Sequence, residues 1–473
     1  MSTTRKIAHN AIAQIASKII STALGLVALG IMFRALGPEQ FGWYITATSF
    51  LQFIGILIDF GLIPVTAQML SEPAYEKNYL LKNLLGFRVV SALLFLAPSP
   101  LLVLFFPYPT PIKIAVGIMS IGFLATAVNQ IFIGFYQTKL RTHIQAGSEV
   151  LGRILLVIGV VLLQRQSAAF LPMMAVVTAS TIASTAVLWL STGREIRLGL
   201  GFDLSLWRAI IQKMWPVAIS IICNVVYLKG DVVLLSLFRS QTEVGMYGAA
   251  YRMLDVVTQS AMLLMGLLLP LLVATWSRGQ REEFRHYLQR SFDTLMLFAV
   301  PIMVGTILLA APIMQFIAGP KFSAAGNILR ILSIAVFGVF IGAVFGHTAL
   351  AIGRQKTALW IFASDAVITL IGYLVFIPKY GAMGAAWMSV FSELYAGFLL
   401  LLLVRHYSQI FPRLQLLGKI AAASLVMAFV PLFLPAAPVI ITIILAGLVY
   451  LIALLGLRAV SRATLQEIFS MPP

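Results

Sequence analysis

Six cations and seven carboxylates interrupt runs of sequence that are otherwise apolar. They are Lys18, Arg88, Arg153, Lys229, Arg252 and Arg330, and Asp59, Glu149, Asp231, Asp255, Asp293, Asp365 and Glu393. A charge inside a membrane is costly, so each needs a partner, a wet cavity or a task. Two tasks suit these types. Lys and Arg hold phosphate groups. A buried carboxylate can take up and release a proton or another small cation.

The spacing separates the candidates. Lys18 shares a helix face with Gln14 four residues earlier, which suits a cavity wall better than lipid. Glu149 and Arg153 are also four apart, acid first. They form a self-neutralising pair or line a cavity. Lys229-Gly230-Asp231 places two charges on different faces of one helix, with a glycine that could loosen it. Arg252 and Asp255 follow at a spacing of three. These four charges form either a binding cluster in the outer half or a structural ion network. Asp365 and Glu393 lie mid-segment, where neither can reach the interface, and Ser392 and Tyr395 flank Glu393. Coupling to H+ or Na+ is the functional reading for both, and a protonated packing acid is the other. Arg88, Asp293 and Arg330 lie near segment ends, where reaching the interface accounts for them. Lys18, Arg153, Lys229 and Arg252 are thus the candidate substrate-binding cations. Asp231, Asp255, Asp365 and Glu393 are the candidate ion-coupling acids.

The elements that must position these residues are membrane helices. Of the 473 residues 60% are hydrophobic and 10% charged, and the mean hydropathy is +0.98. Soluble chains are about 25% charged. Fourteen apolar segments are legible, near 11–33, 42–66, 84–107, 112–136, 148–164, 169–190, 214–237, 246–275, 292–318, 327–350, 358–378, 383–404, 420–435 and 438–457. Lipid offers the backbone no partners, so segments of this kind are helices. No sequence remains for a large soluble catalytic domain. Zinc-protease, P-loop and nucleophile-elbow signatures are missing. No cofactor is expected. The single Cys223 forms no internal disulfide framework. Met1 to Asn10 reads as a short polar lead rather than a cleavable signal.

The net charge of +17 would suggest nucleic acid in a soluble chain, but topology explains it better here. With the N-terminus inside, 21 of the 33 Lys and Arg fall in inner loops, 6 in outer loops and 6 within segments. Both termini are therefore expected in the cytoplasm, and no nucleic-acid partner is required.

The halves also resemble each other. A shift of 203 positions lays Arg5 on Arg208, Gly42 on Gly245, Tyr44 on Tyr247 and Pro98 on Pro301. A shift of 215 to 216 lays Arg141 on Lys356 and Glu149 on Asp365. Six segments separate the partners, so the repeats run parallel, related by an axis along the membrane normal. The expected organisation is a six-helix bundle over 1–190, a cytoplasmic linker over 191–213, a second six-helix bundle over 214–404, and two extra helices with a tail over 405–473.

Several short motifs resemble the polysaccharide flippases (Wzx-type O-antigen and exopolysaccharide transporters). They are Leu36-Gly37-Pro38-Glu39-Gln40-Phe41-Gly42-Trp43-Tyr44, Asp59-Phe60-Gly61-Leu62, Val244-Gly245-Met246-Tyr247-Gly248, Ala351-Ile352-Gly353-Arg354 and Ile377-Pro378-Lys379-Tyr380-Gly381-Ala382-Met383-Gly384. That family shares a superfamily with multidrug extruders and the lipid II flippase. The resemblance implies an all-α polytopic membrane protein. Two six-helix bundles would stand in a V about a pseudo-two-fold axis, with the two C-terminal helices added. It implies transport of an undecaprenyl-diphosphate-linked oligosaccharide across the bacterial cytoplasmic membrane by alternating access, without enzymatic chemistry. Membrane lipid, H+ or Na+, and polysaccharide-assembly proteins are the other partners implied. A multidrug or cation antiporter of the same fold is the alternative within the class. A membrane polysaccharide polymerase or glycosyltransferase is the alternative outside it, disfavoured by outer loops of only about ten residues.

Overall fold

The structure is a computed structural model. It describes residues 3–459 apart from 60–61, 73–75, 140, 167–168 and 436, and side chains apart also from 3–16, 56–59, 64, 71 and 216–229. Among the described residues every regular element is helical. In order they are α1 (Thr3–Asp59), α2 (Leu62–Ser71), α3 (Lys77–Leu96), α4 (Ser99–Leu102), α5 (Thr110–Thr138), α6 (Thr142–Arg165), α7 (Phe170–Gly193) and α8 (Leu204–Phe238). Then come α9 (Gln241–Ser277), α10 (Arg281–Ala318), α11 (Ala325–Ala351), α12 (Gln355–Ser408), α13 (Gln415–Phe433) and α14 (Val439–Gly456). Eleven helical stretches among the described residues are long and apolar enough to cross a membrane. The chain is a multi-pass membrane protein.

Two of those stretches are hairpins. Gly37 breaks α1 at φ 68°, and Gly381 breaks α12 at φ 59°. Only glycine takes such angles without strain. Pro38 follows the first break, where a fixed φ suits the opening turn of a new helix. The arms fold back antiparallel. Phe33 and Phe41 meet across Gly37 with ring centroids 4.4 Å apart. Across Gly381, Gly384 packs so close to Phe376 that a Cβ would lie 2.5 Å from its carbonyl oxygen. Both breaks fall in motifs singled out from the sequence, between segments 1 and 2 and between segments 11 and 12.

The chain forms two compact units, residues 1–245 and 246–473. In the first, Phe132, Phe135 and Tyr136 of α5 pack with Leu80 and Leu84 of α3 and with Leu206 and Ile210 of α8. Small residues bring backbones together where lipid supplies no hydrophobic drive. A Cβ on Gly42 would lie 1.8 Å from the Gln241 carbonyl oxygen, and one on Gly245 would lie 1.9 Å from that of Pro38. These glycines occupy matching places in the sequence repeat, and each fits the backbone at the other's helix start. In the second unit α11 meets α12 at Gly338, whose Cβ would lie 2.7 Å from the Glu393 carbonyl carbon. The two extra helices α13 and α14 pack on α10. Tyr450 Oη donates to the Leu297 carbonyl oxygen at 2.9 Å.

The segment before α8 is fixed to α3. Gly201 N donates to the Lys82 carbonyl at 2.8 Å, Asp203 N to Asn83 Oδ1 at 2.8 Å, and Trp207 Nε1 to the Asn83 carbonyl at 3.1 Å. Asp203 caps α8, accepting from the amides of Ser205 and Leu206, and also accepts from the Tyr79 hydroxyl. The Ser205 and Tyr79 hydrogen bonds pull its carboxyl down to about 2. Glu72 is lowered by its hydrogen bond from Lys213, whose Nζ lies 2.5 Å from Oε2. Glu195 is lowered first by Lys139, at 2.6 Å, with Arg141 at 3.2 Å adding to it.

Candidate functional site

The first unit carries a polar stripe between α1 and α6. Helical periodicity sets Lys18, Ser21 and Gly25 on one face of α1, and Gln145, Glu149 and Arg153 on one face of α6. The two faces meet. Lys18 Nζ lies 3.6 Å from Glu149 Oε1, with both side chains about a third exposed or more. One turn on, Gly25 leaves room for Arg153, whose guanidinium carbon would be 3.9 Å from a Cβ at that position. Glu149 therefore reaches across to Lys18 on another helix. Arg153 has no carboxylate at ion-pair distance among the described residues, and it is exposed at the middle of α6. Buried oxygens also line this unit without hydrogen-bond partners among the described residues: Ser21 Oγ, Gln145 Oε1, Asn129 Oδ1 and Gln130 Oε1.

Arg88 departs from the sequence expectation. The hydropathy pattern starts its segment near residue 84, which puts Arg88 close to an end. The helix starts at Lys77, three turns before Arg88, and Arg88 is 1% exposed. Its Nε donates to the Ala127 carbonyl oxygen of α5 at 2.8 Å. It is a packing cation buried between helices, not one reaching for the interface. Arg330 is exposed, and its Nε donates to the Ile307 carbonyl at 3.1 Å. Asp293 accepts from Gln289 at 2.9 Å.

Asp231 lies in the first unit, 1% exposed, with its own Oδ1 accepting from Val232 N at 2.7 Å. The side chains of Lys229 and Asp59 lie outside the described residues. Arg252 and Asp255 lie in the second unit and form the ion pair that their spacing allows, at 3.4 Å.

The second unit holds a hydroxyl-lined carboxylate in the α12 hairpin. Asp365 is 0% exposed. Ser392 Oγ donates to its Oδ2 at 2.8 Å and Thr369 Oγ1 to its Oδ1 at 3.0 Å. Tyr395 pairs with Ser364 at 3.1 Å, and Ser389 takes both Tyr373 at 3.2 Å and Tyr247 at 3.1 Å. Ser392 and Tyr395, expected beside Glu393, thus serve the first arm of the hairpin instead. Glu393 is half-buried, with its backbone against Gly338. No group of three potential metal ligands occurs among the described residues.

The first unit thus carries a cationic stripe, and the second, by itself, a hydrogen-bonded carboxylate. The sequence profile of the family described as "Polysaccharide biosynthesis protein" matches residues 7–276, more than half of the chain. The chain belongs to the polysaccharide biosynthesis protein family. A second profile, MatE, matches residues 216–375 of this family member. It is 23% identical over 380 residues to the "probable low-salt glycan biosynthesis flippase Agl15" of Haloferax volcanii, covering 76% of each chain. Among solved structures, a lipid II flippase MurJ in an inward closed conformation aligns with a TM-score of 0.79 at 18% identity. That alignment covers 94% of this chain and 99% of the other. An inward-facing multidrug-resistance MATE transporter of the MOP superfamily aligns at 0.69 and 13% identity, covering 84% and 98%. These likenesses establish the all-α fold of that superfamily. Together with the family match, they give this polysaccharide biosynthesis protein the helical membrane fold that those transporters share.

Proposed function

We propose that the protein flips an oligosaccharide carried on a polyprenyl diphosphate across the cytoplasmic membrane, for cell-surface polysaccharide or glycan assembly. Arg153 is the observation that carries this reading. A guanidinium exposed at the centre of a membrane helix, with no carboxylate beside it, is intolerable against lipid. It suits a wet lumen that receives a diphosphate, and its planar fork matches phosphate oxygens. Lys18 adds a second cation. Glu149 tempers it, so the anion is held loosely enough to leave. The lipid tail stays in the bilayer. Lys229 and Arg252 are proposed as further cations on the route.

Coupling to H+ or Na+ is proposed at Asp365. Its hydroxyl shell is a set of oxygen donors that suits a small hard cation, or a proton shared with Ser392. Asp231, Asp255 and Glu393 are secondary candidates. The 6 + 6 + 2 arrangement with both termini cytoplasmic rests on the sequence repeat and on the inner-loop cations. The MatE match supports a drug or cation antiporter as second reading. An uncompensated Arg153 opposes it, because a cationic cargo needs net negative walls.

The test is substitution at Arg153 in proteoliposomes holding a fluorescent polyprenyl-diphosphate oligosaccharide. R153A should lower the flipping rate at least tenfold at equal protein density, and R153K should keep a measurable part. Unchanged flipping in R153A would remove the stripe from the substrate path.

A further inference from the structure

One end of the second unit carries a dense set of exposed cations, while the acids at the start of α10 there, Glu282 and Glu283, bond within their own helix turn to Arg285 and Gln280. Arg354 lies in the α11–α12 turn and Lys356 opens α12. Arg405 lies in the last turn of α12, Arg413 in the α12–α13 connector, Lys419 in the first turns of α13, and Arg458 just after α14. All six are exposed. The chain has no Asp or Glu between 394 and 466, nor between 294 and 364. None of the six has an acid at ion-pair distance among the described residues. Matching places in the first unit differ: Lys139 and Arg141 share Glu195, and Lys213 holds Glu72.

Contacts tie this patch into one surface. The Arg354 guanidinium sits 3.9 Å from the Tyr407 ring centre, and that of Arg405 sits 5.5 Å from that of Phe411. Lys419 Nζ donates to the Arg458 carbonyl at 3.0 Å. Gln289 holds both backbone groups of Arg413, at 2.7 and 3.1 Å, and so fixes the connector. Phe411, Leu414 and Leu457 are exposed among the cations. Aromatic and aliphatic groups interleaved with stacked guanidiniums are what a bilayer interface requires. Topology alone asks for positive charge here, but not for guanidiniums fixed over rings.

We propose that this end of the second unit is a binding surface for the head-group phosphates of anionic phospholipids in the cytoplasmic leaflet. The ring-backed Arg354 and Arg405 supply oriented donors, and Lys356, Arg413 and Lys419 supply the surrounding field. Each cation near an anionic surface adds attraction that falls off within a Debye length. The surface is independent of the transported cargo.

The experiment is thermal unfolding of the full chain in neutral detergent, titrated with phosphatidylglycerol or with phosphatidylcholine. A ligand that binds only the folded state raises the midpoint. Phosphatidylglycerol should raise it by several degrees, phosphatidylcholine should not, and roughly 0.5 M NaCl should remove most of the rise by screening. R354Q/R405Q should lose more than half of the rise. K379Q, at the hairpin turn of α12, should keep it. Should the double variant not fold, Y407L retains every charge and removes the ring under Arg354. It should need about threefold more phosphatidylglycerol for the same rise. Equal rises with both lipids, or a full rise in R354Q/R405Q, would overturn the proposal. So would a polyprenyl diphosphate that displaces phosphatidylglycerol at equal mole fraction, since the patch would then serve the cargo.

Discussion

Replacing Tyr450 by Phe probes how the extra helices are joined to the second unit. Leu297 stands four residues before Pro301 in α10. Proline has no N–H, so the Leu297 carbonyl lacks its ordinary helical donor. Tyr450 of α14 supplies one at 2.9 Å. Tyr450 is 7% exposed, so water cannot easily take the hydroxyl's place. Y450F should therefore strand a carbonyl at a cost of about 1–3 kcal/mol. In a P301A background the restored backbone N–H at position 301 can reach the carbonyl, and the hydroxyl becomes redundant. Y450F should then cost well under about 1 kcal/mol, which leaves a coupling of about 1–2 kcal/mol between the two sites. The assay is unfolding free energy in mixed micelles for the wild type, both single variants and the double variant. An equal cost of Y450F in both backgrounds would refute the reasoning, because packing alone would then explain the contact.

Three further outcomes follow from the geometry. G245A should lower stability by about 1–3 kcal/mol or more, since its Cβ would lie 1.9 Å from the Pro38 carbonyl; thermal unfolding reads this, and an unchanged midpoint would contradict the close approach. D365N should keep the fold but abolish any response of transport to an ion gradient, whereas D365L should also cost about 1–3 kcal/mol by leaving Ser392 and Thr369 without their acceptor. The Asp203 carboxyl is drawn down from 3.8 to about 2, so its capping contribution is fully present above about pH 4 and is lost as pH falls through about 2. Hydrogen exchange at the Ser205 and Leu206 amides should speed up in that window, beyond the intrinsic pH effect and more than in D203N.

The membrane class, the helix breaks and the charged candidates are legible in the sequence. Gly37 and Gly381 lie between apolar segments within glycine-containing motifs, so the hairpins follow from pattern. Partnership is less legible. Glu149 and Arg153 share a face, and spacing alone cannot say whether they pair with each other or both look toward α1. Opposite them, Lys18 takes Glu149 and Gly25 leaves space for Arg153. Ser392 adjoins Glu393 in sequence, but neighbours on a helix point about 100° apart. Ser392 therefore faces Asp365 across the hairpin. The hydropathy pattern misplaces Arg88 because Lys77 and Lys82 make the first turns of α3 look like a loop, although those turns pack on the rest of the first unit. Asn129, Gln130 and Gln145 give no sequence signal, because a neutral amide barely alters the hydropathy of a segment. The role of Tyr450 emerges only where α14 lies against the proline-interrupted α10.

Movement of a lipid-linked oligosaccharide between leaflets is the central claim. The direct measurement uses proteoliposomes with a polyprenyl-diphosphate oligosaccharide whose sugar is fluorescent and is quenched by a membrane-impermeant reagent. With active protein the protected inner-leaflet fraction should fall toward zero over minutes, and protein-free vesicles should keep about half of the signal. A protected fraction that stays at the protein-free level, with correctly folded and inserted protein, would contradict the flippase reading.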